Sequence, residues 1–158
     1  MDLGVPEPAE ILPAGPPSAG PALLDDGTRR AISIEVDAGT LEDVERRLDE
    51  YRQTIAAFFD LRLTGREGAG FLRYERGGFY RPHRDRADVA SWPGAAQRRV
   101  ALIVFLNDEF SGGILRLFDT STDVVPCTGT LVAFVATTLH EVVPVTAGTR
   151  DVIVDWFY

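Results

Sequence analysis

Residues 70–158 form a succession of short apolar runs separated by glycine, proline and small polar residues. Runs of this length between turn residues predict short β-strands. The predicted strands cover residues 99–106, 114–118, 130–135, 141–144 and 150–158. Many short strands in one segment are typical of a β-sandwich or jelly roll. We therefore expect a mainly β fold, with its core in residues 69–158.

The segment before this core predicts one strand and one helix. Residues 31–36 alternate apolar and polar side chains, as a strand does. The run from Thr40 to Asp43 predicts the start of a helix that continues to about Asp60. Apolar residues recur there at helical spacing: Leu41, Val44, Leu48, Tyr51, Ile55 and Phe58. We expect this flanking helix to pack against one sheet of the core.

Composition predicts how the chain is organised. Residues 1–27 are rich in proline, alanine and glycine, which predicts a flexible arm. Residues 28–158 are expected to form a single domain, with the N-terminal strand and helix in 28–60 and the jelly-roll core in 69–158.

Charge and cysteine content limit the expected partners and location. The formal net charge is -8 at pH 7, which argues against nucleic acid and anionic membranes as partners. No stretch reaches the roughly 18 apolar residues of a membrane helix. The lone cysteine, Cys127, forms no intramolecular disulfide. These features predict a cytoplasmic protein in a reducing environment.

The sequence has only two histidines, His83 and His140, and His83 stands two residues before Asp85. Two imidazoles and one carboxylate hold Fe(II) on one octahedral face and leave three positions open. In an extended segment, His83 and Asp85 point to the same face while Arg84 points away. His140 lies where one strand signal ends and the next begins. The three residues therefore predict a ferrous iron site.

Arg150 opens the last predicted strand, where alternation places it on one face with Val152, Val154 and Trp156. An arginine that faces inward among valines needs an anion. Its guanidinium binds a carboxylate through two parallel hydrogen bonds. Such a group suits the far end of a dicarboxylate whose near end chelates a metal.

These motifs together resemble the Fe(II)- and 2-oxoglutarate-dependent dioxygenases, in their prolyl 4-hydroxylase-like branch. The resemblance covers about residues 70–158. Four motifs carry it, in the order and spacing of the family: YERGGFYRPHRD from Tyr74 to Asp85 with Leu106-Asn107, SGGILRLF from Ser111 to Phe118, His140-Glu141-Val142, and Arg150 with Trp156.

The resemblance implies a double-stranded β-helix, which is a cupin-like jelly roll with iron at its open end. It implies hydroxylation of an unactivated C–H bond, with O2 and 2-oxoglutarate consumed and succinate and carbon dioxide released. Ascorbate (vitamin C) is the reductant that the resemblance suggests. Position by position, His83, Asp85 and His140 are the implied iron ligands. Arg150 is implied to bind the distal carboxylate of 2-oxoglutarate, and Tyr74 to line the cosubstrate pocket.

The same resemblance implies further pocket residues. Trp156 matches an aromatic residue near the open coordination site, and Arg98 matches an arginine at the substrate mouth of the oxygen-sensing members. Val152 shares the inward face of Arg150 and is expected in the same pocket. Phe105 departs from the pattern, because the oxygen-sensing enzymes have a tyrosine there whose hydroxyl contacts the cosubstrate. This departure bears on the affinity for 2-oxoglutarate, not on its binding mode.

The sequence leaves the substrate open: a peptidyl proline, a free amino acid or a secondary metabolite. Residues 86–97, which include Trp92, are expected to form a lid over the site. Arg81, Arg84 and Arg86 are interpreted as a solvated rim in preference to a mouth that attracts an acidic substrate.

Two other classes of protein also fit part of the pattern. One is a catalytically silent metal-binding jelly roll that acts as an interaction module; the inward Arg150 argues against it. The other is a structural β-sandwich with fortuitous histidines, which predicts no metal affinity.

Overall fold

The computed structural model describes residues 6–8, 27–86 and 93–158. Within them, the helices are α1 Ala38–Glu50, α2 Arg52–Phe59 and α3 Pro93–Ala96. The strands are β1 Pro6–Pro8, β2 Arg29–Arg30, β3 Ile32–Ile34, β4 Gly70–Tyr74, β5 Phe79–His83, β6 Val100–Phe105, β7 Ser111–Gly112, β8 Leu115–Leu117, β9 Thr122–Val124, β10 Leu131–Val135, β11 His140–Val142, β12 Val145–Ala147 and β13 Arg150–Phe157.

Two antiparallel sheets form the body of the fold. The major sheet has the strand order β1-β3-β4-β13-β6-β10, and the minor sheet has the order β2-β5-β11-β8-β9. Strands β7 and β12 pair separately. The apolar core between the sheets includes Leu72, Phe105, Leu115, Phe134 and Val152. The mainly β jelly roll with a flanking helical layer, expected from the sequence, is confirmed.

Alternation along β13 divides its side chains between two layers. Val152 belongs to the core between the sheets, whereas Ile153 and Phe157 join the clusters that contain Leu48 of α1 and Ile55 of α2. The helices therefore cover the outer face of the major sheet. The inner face of β13 is left to the residues of the candidate site.

The helical segment differs from the prediction at its start and at its middle. Asp37 is the N-cap, and its carboxylate accepts hydrogen bonds from the backbone N–H and the hydroxyl of Thr40 at 2.9 and 2.6 Å. A short carboxylate at this position satisfies helical N–H groups that would otherwise lack partners. The helix then breaks at Tyr51, which ends α1 and caps α2.

This break changes which apolar residues are buried. Leu48 and Ile55 are buried as predicted, but Tyr51 is 53% exposed and Phe58 is 81% exposed. Phe59 packs against the core in place of Phe58. The prediction of one continuous apolar face to Phe58 is wrong, because the helix is interrupted at Tyr51 and a second helix begins at Arg52.

Most of the predicted arm and half of the predicted lid lie outside the described residues. Within the arm, Pro6–Pro8 pairs antiparallel with Ile32–Ile34 at the edge of the major sheet. Residues 87–92, in the middle of the predicted lid, are not among the described ranges. None of the helices described is both long enough and apolar enough to cross a membrane.

Candidate metal and cosubstrate site

The two histidines and Asp85 converge at one end of the minor sheet. His83 ends β5 and lies opposite His140, the first residue of β11. Asp85 follows in a bend, two residues beyond β5. The ligand atoms of the three side chains all lie within 4.8 Å of one another. The Nε2 atoms of His83 and His140 lie 3.4 and 3.7 Å from the two carboxylate oxygens of Asp85.

Backbone carbonyl groups set the orientation of both imidazoles. Nδ1 of His83 lies 2.7 Å from the carbonyl oxygen of Arg81, and Nδ1 of His140 lies 2.9 Å from that of Thr138. A carbonyl only accepts, so each Nδ1 carries the proton and donates. Each Nε2 is then left with a lone pair that faces Asp85. This tautomer is the one that binds a metal through Nε2.

The environment favours the protonation states that a metal needs. Burial alone would raise the pKa of Asp85, but the interactions with the side chains of His83 and His140 lower it by a larger amount, so the net shift is downward. Burial lowers the pKa of His140, although Asp85 opposes this shift. An ionised carboxylate and a neutral imidazole are the forms that donate electron pairs to a metal ion.

Arg150, the first residue of β13, is buried inside the jelly roll and is 1% exposed. Its guanidinium lies near the rings of both Tyr74 and Phe105, with Cζ 5.0 and 5.1 Å from their centroids. Its Nε and Nη2 atoms are buried and have no hydrogen-bond partner among the described residues. Burial lowers the pKa of this guanidinium. Buried donors without partners are costly, so this group fits an anion that accepts both hydrogen bonds.

One pocket connects the triad with Arg150. It contains about 450 Å³ of empty space, including its open mouth. Its walls include the apolar side chains of Leu72, Val142, Val152 and Val154 together with the aromatic side chains of Tyr74 and Trp156. The residues present therefore fit a dicarboxylate that spans from a metal at the triad to a cation at Arg150. The ring of Phe105 lies beside the guanidinium of Arg150 but is not among the lining residues of this pocket.

Arg98, expected at the substrate mouth, is 5% exposed and has contacts inside the protein. Its Nε donates to Oε2 of Glu67 at 2.6 Å, and its Nη2 donates to Oε1 of the same carboxylate. Its Nη1 donates to the backbone carbonyl of Asp85 at 3.2 Å. The guanidinium also covers the indole of Trp156, with Cζ 3.7 Å from the ring centroid.

The arginines next to the triad tie the surrounding segments together. Arg84 donates to Oδ2 of Asp119 at 3.2 Å and to the carbonyl of Thr137. Arg81 donates to the carbonyl of Gly27. Arg84 points away from the pocket, as predicted from its position between His83 and Asp85. The exposed ion pair of Arg84 with Asp119 favours the interpretation of a solvated rim.

Sequence reasoning missed three residues at or near the site. Tyr80 and Arg29 line the pocket, and Cζ of Arg29 lies 5.2 Å from the centroid of the Tyr80 ring. Glu67 joins the site through Arg98. The YERGGFYRPHRD motif contains Tyr80, so the aromatic residue three positions before His83 was an available signal. Nothing in the local sequence distinguishes Arg29 or Glu67.

The fold and the site together define a class: a jelly roll with two histidines and one carboxylate at the end of a pocket closed by a buried arginine. A sequence model of the 2OG-Fe(II) oxygenase superfamily matches residues 69–158, more than half of the chain. The chain belongs to this superfamily, whose members use Fe(II), 2-oxoglutarate and O2.

The matches to curated relatives cover only part of each relative's length. A PKHD-type hydroxylase of Delftia acidovorans is 39% identical over 93 residues, which cover 54% of this chain and 41% of the relative. A PKHD-type hydroxylase of Acaryochloris marina is 36% identical over 90 residues, or 54% of this chain and 39% of the relative. The match thus spans less than half of either relative.

Solved structures share the fold. A Pseudomonas putida prolyl-4-hydroxylase superposes with a TM-score of 0.67 and 28% identity, over 82% of this chain and 72% of that chain. A Trichoplax adhaerens prolyl hydroxylase, solved with a hypoxia inducible factor peptide fragment, superposes with a TM-score of 0.76 over 98% of this chain and 71% of that chain. At 19% identity, the second likeness shows the fold alone.

Proposed function

We propose that this chain is an Fe(II)- and 2-oxoglutarate-dependent hydroxylase in which His83, Asp85 and His140 hold the iron. Arg150 binds the distal carboxylate of 2-oxoglutarate. The observation that carries the proposal is the buried guanidinium of Arg150 at the far end of the pocket that begins at the triad, with two donors that have no partner in the described part of the chain. A scaffold that only binds metal has no use for these donors.

Bound ferrous iron supplies the oxidation chemistry, in which decarboxylation of 2-oxoglutarate to succinate and carbon dioxide is coupled to hydroxylation of a C–H bond. The chain supplies position and environment. The carbonyl groups of Arg81 and Thr138 keep Nε2 of each histidine available. Arg150 orients the cosubstrate along the pocket, because a guanidinium binds a carboxylate in one plane.

The remaining pocket residues shape the reaction space. Tyr74 packs against Arg150 and lines the cosubstrate end. Val152 supplies apolar wall beside the cosubstrate, and Trp156 supplies wall in the same pocket as the triad. Apolar walls exclude water, which strengthens the charge interactions of Arg150 and Asp85.

For the substrate, we propose a prolyl residue in a peptide or protein. The 28% identity to a prolyl-4-hydroxylase and the motifs around His83 support this choice. A free amino acid or a secondary metabolite is the alternative, because substrate loops diverge within one fold. Ascorbate as reductant and a cytoplasmic location complete the proposal. The net charge of -8 supports a function without nucleic acid or anionic membrane partners.

The test is an anaerobic titration of the Fe(II)-loaded protein with 2-oxoglutarate, followed by the visible charge-transfer band of a chelated keto acid. We expect the band in the wild-type protein. Arg150→Met keeps an unbranched apolar stem but removes the guanidinium and its charge. It should weaken 2-oxoglutarate binding at least about 30-fold, since loss of a buried charged partner costs about 2 kcal/mol or more.

Two outcomes would reject the proposal in favour of the other classes. Iron bound without a band on addition of 2-oxoglutarate would favour the catalytically silent metal-binding module. Equal and negligible iron affinity in the wild type and in His83→Ala would favour a structural β-sandwich.

A further inference from the structure

A line of partly buried polar contacts runs from Glu67, at the surface, through Arg98 to the metal centre. It starts at the carboxylate of Glu67, which binds two nitrogens of Arg98. Arg98 then contacts both Asp85, through the backbone carbonyl at 3.2 Å, and Trp156, through its ring face at 3.7 Å. One guanidinium thus holds a candidate iron ligand and a wall of the pocket at the same time.

Asp85 needs such support because it lies beyond the regular part of its strand. β5 ends at His83, and Asp85 occupies the bend that follows. The next residue, Arg86, is tied by its N–H to the carbonyl of Ala136 at 2.9 Å. The hydrogen bond from Arg98 to the Asp85 carbonyl fixes the backbone at the ligand itself. The distance from this carboxylate to the two Nε2 atoms depends on that backbone position.

Glu67 is in turn fixed on the strand that carries Trp156. Its N–H donates to the carbonyl of Trp156 at 2.9 Å. The preceding residue, Arg66, forms a β-bridge with Phe157. The N–H of the following residue, Gly68, donates to Oδ1 of Asp155 at 3.0 Å. The backbone that carries Glu67 is therefore held by contacts with β13. From this fixed position, the two hydrogen bonds of the Glu67 carboxylate set the plane of the Arg98 guanidinium.

We propose that Glu67 is a positioning residue of the metal centre, which acts through Arg98 to hold the Asp85 backbone and the Trp156 indole in place. The proposal rests on the proposed function, because it takes Asp85 to be an iron ligand. It also gives Arg98 a role inside the protein, where the resemblance suggested a place at the substrate mouth. Removal of a group that orients a metal ligand typically lowers metal affinity or activity about 10- to 100-fold.

The test compares the Fe(II) affinity of the wild type with that of Glu67→Gln. Affinity is measured anaerobically by competition with a chromophoric chelator, at a temperature where every variant is folded. Glutamine keeps the shape of the side chain but removes its charge and one acceptor of the ion pair. We expect Glu67→Gln to bind Fe(II) about tenfold more weakly or worse.

Asp123→Asn is the matched control. It makes the same change of charge in another two-pronged ion pair, with Arg116 at 2.8 and 3.1 Å, on the exposed strand β9. It should keep the wild-type Fe(II) affinity. If Glu67→Gln does not fold, Glu67→Asp decides by the same measurement, since it keeps the charge but withdraws the carboxylate by one methylene.

The outcomes separate this proposal from the proposed function. Wild-type Fe(II) affinity in the Glu67 variant overturns the positioning role alone, whatever the change in melting temperature. A loss of affinity in Asp123→Asn as large as that in the Glu67 variant also overturns it. A wild-type protein that binds no Fe(II) overturns the proposed function, and the positioning role with it.

Discussion

The ring of Tyr80 lies nearly parallel to the imidazole of His83, with centroids 3.5 Å apart and planes 18° apart. Residues three positions apart in a regular strand point to opposite faces. Here β5 is irregular: His83 pairs with His140 and Tyr80 pairs with Val142, so β5 has one residue more than β11 between the two pairs. Such a β-bulge turns both rings toward the pocket.

We predict that this stacking helps to fix the imidazole for metal binding. Tyr80→Ala removes the ring that covers one face of His83, and Fe(II) affinity should fall about tenfold, as it does when groups that orient ligands are lost. Tyr80→Phe keeps the ring and should keep the affinity. Anaerobic Fe(II) titration of the two variants checks this, and equally tight binding by Tyr80→Ala would contradict it.

Gly113 supplies a second prediction, because a side chain there would meet Arg150. Gly113 has a φ of +60°, and an added Cβ would lie 3.0 Å from both Cδ of Arg150 and Cε2 of Phe110. Gly113→Ala should displace the guanidinium and weaken 2-oxoglutarate binding about tenfold, equivalent to about 1.4 kcal/mol, without changing Fe(II) affinity. Titration with 2-oxoglutarate at saturating Fe(II) measures this change.

Gly129→Ala is the control for backbone strain in that experiment. Gly129 has a φ of +82°, and an added Cβ there meets nothing within 4 Å. Both substitutions force alanine into the left-handed region, but only the one at Gly113 meets Arg150. Equal losses of 2-oxoglutarate affinity in the two variants would show that strain, not contact with Arg150, is the cause.

The sequence was sufficient where a short-range rule decides the geometry. Alternation along residues 150–158 correctly placed Arg150, Val152 and Trp156 on the pocket side. The His-x-Asp spacing correctly placed His83 and Asp85 on one side of the chain and Arg84 on the other. The succession of short strands correctly predicted a mainly β jelly roll.

The sequence was insufficient where long-range packing decides. The bulge that brings Tyr80 beside His83 is visible only in the pairing of β5 with β11. The contact between Glu67 and Arg98 joins residues 31 positions apart. The break at Tyr51 depends on how α1 and α2 pack against different parts of the major sheet. Local propensity contains no term for these contacts.

Phe105 supplies a third prediction, on cosubstrate affinity. Its fully buried ring lies beside the guanidinium of Arg150, with Cζ 5.1 Å from the ring centroid. Phe105→Tyr adds a hydroxyl that donates to the carboxylate held by Arg150. A hydrogen bond to a charged group contributes about 1.5–3 kcal/mol, so 2-oxoglutarate should bind at least about tenfold more tightly.

The same hydroxyl should cost stability when no cosubstrate is bound. A buried hydroxyl without a partner destabilises by about 1–3 kcal/mol, so the melting temperature of Phe105→Tyr without 2-oxoglutarate should be below that of the wild type. Saturating 2-oxoglutarate should raise it by more than it raises the wild type. Thermal unfolding with and without 2-oxoglutarate tests both parts. An equal rise in the two proteins would place the hydroxyl away from the carboxylate.

Tyr74 gives a prediction on the pH dependence of stability. Its side chain is 2% exposed, and burial raises the pKa of the phenol above its ordinary value, although Arg150 and Arg29 partly oppose the shift. The unfolded chain releases this proton near pH 10, whereas the folded protein still holds it there. The stabilising effect of the protonated phenol is complete below about pH 10 and is lost as the pH rises toward the folded pKa.

The wild type should therefore lose stability relative to Tyr74→Phe above about pH 10, by up to about 1.4 kcal/mol per pH unit. Urea unfolding of the two proteins at a series of pH values between about 8 and 11 measures the difference. Tyr51→Phe, at a position that is 53% exposed, is the matched control and should track the wild type across the series. A constant difference between the wild type and Tyr74→Phe would mean that the Tyr74 phenol ionises as readily in the folded protein as in the unfolded chain.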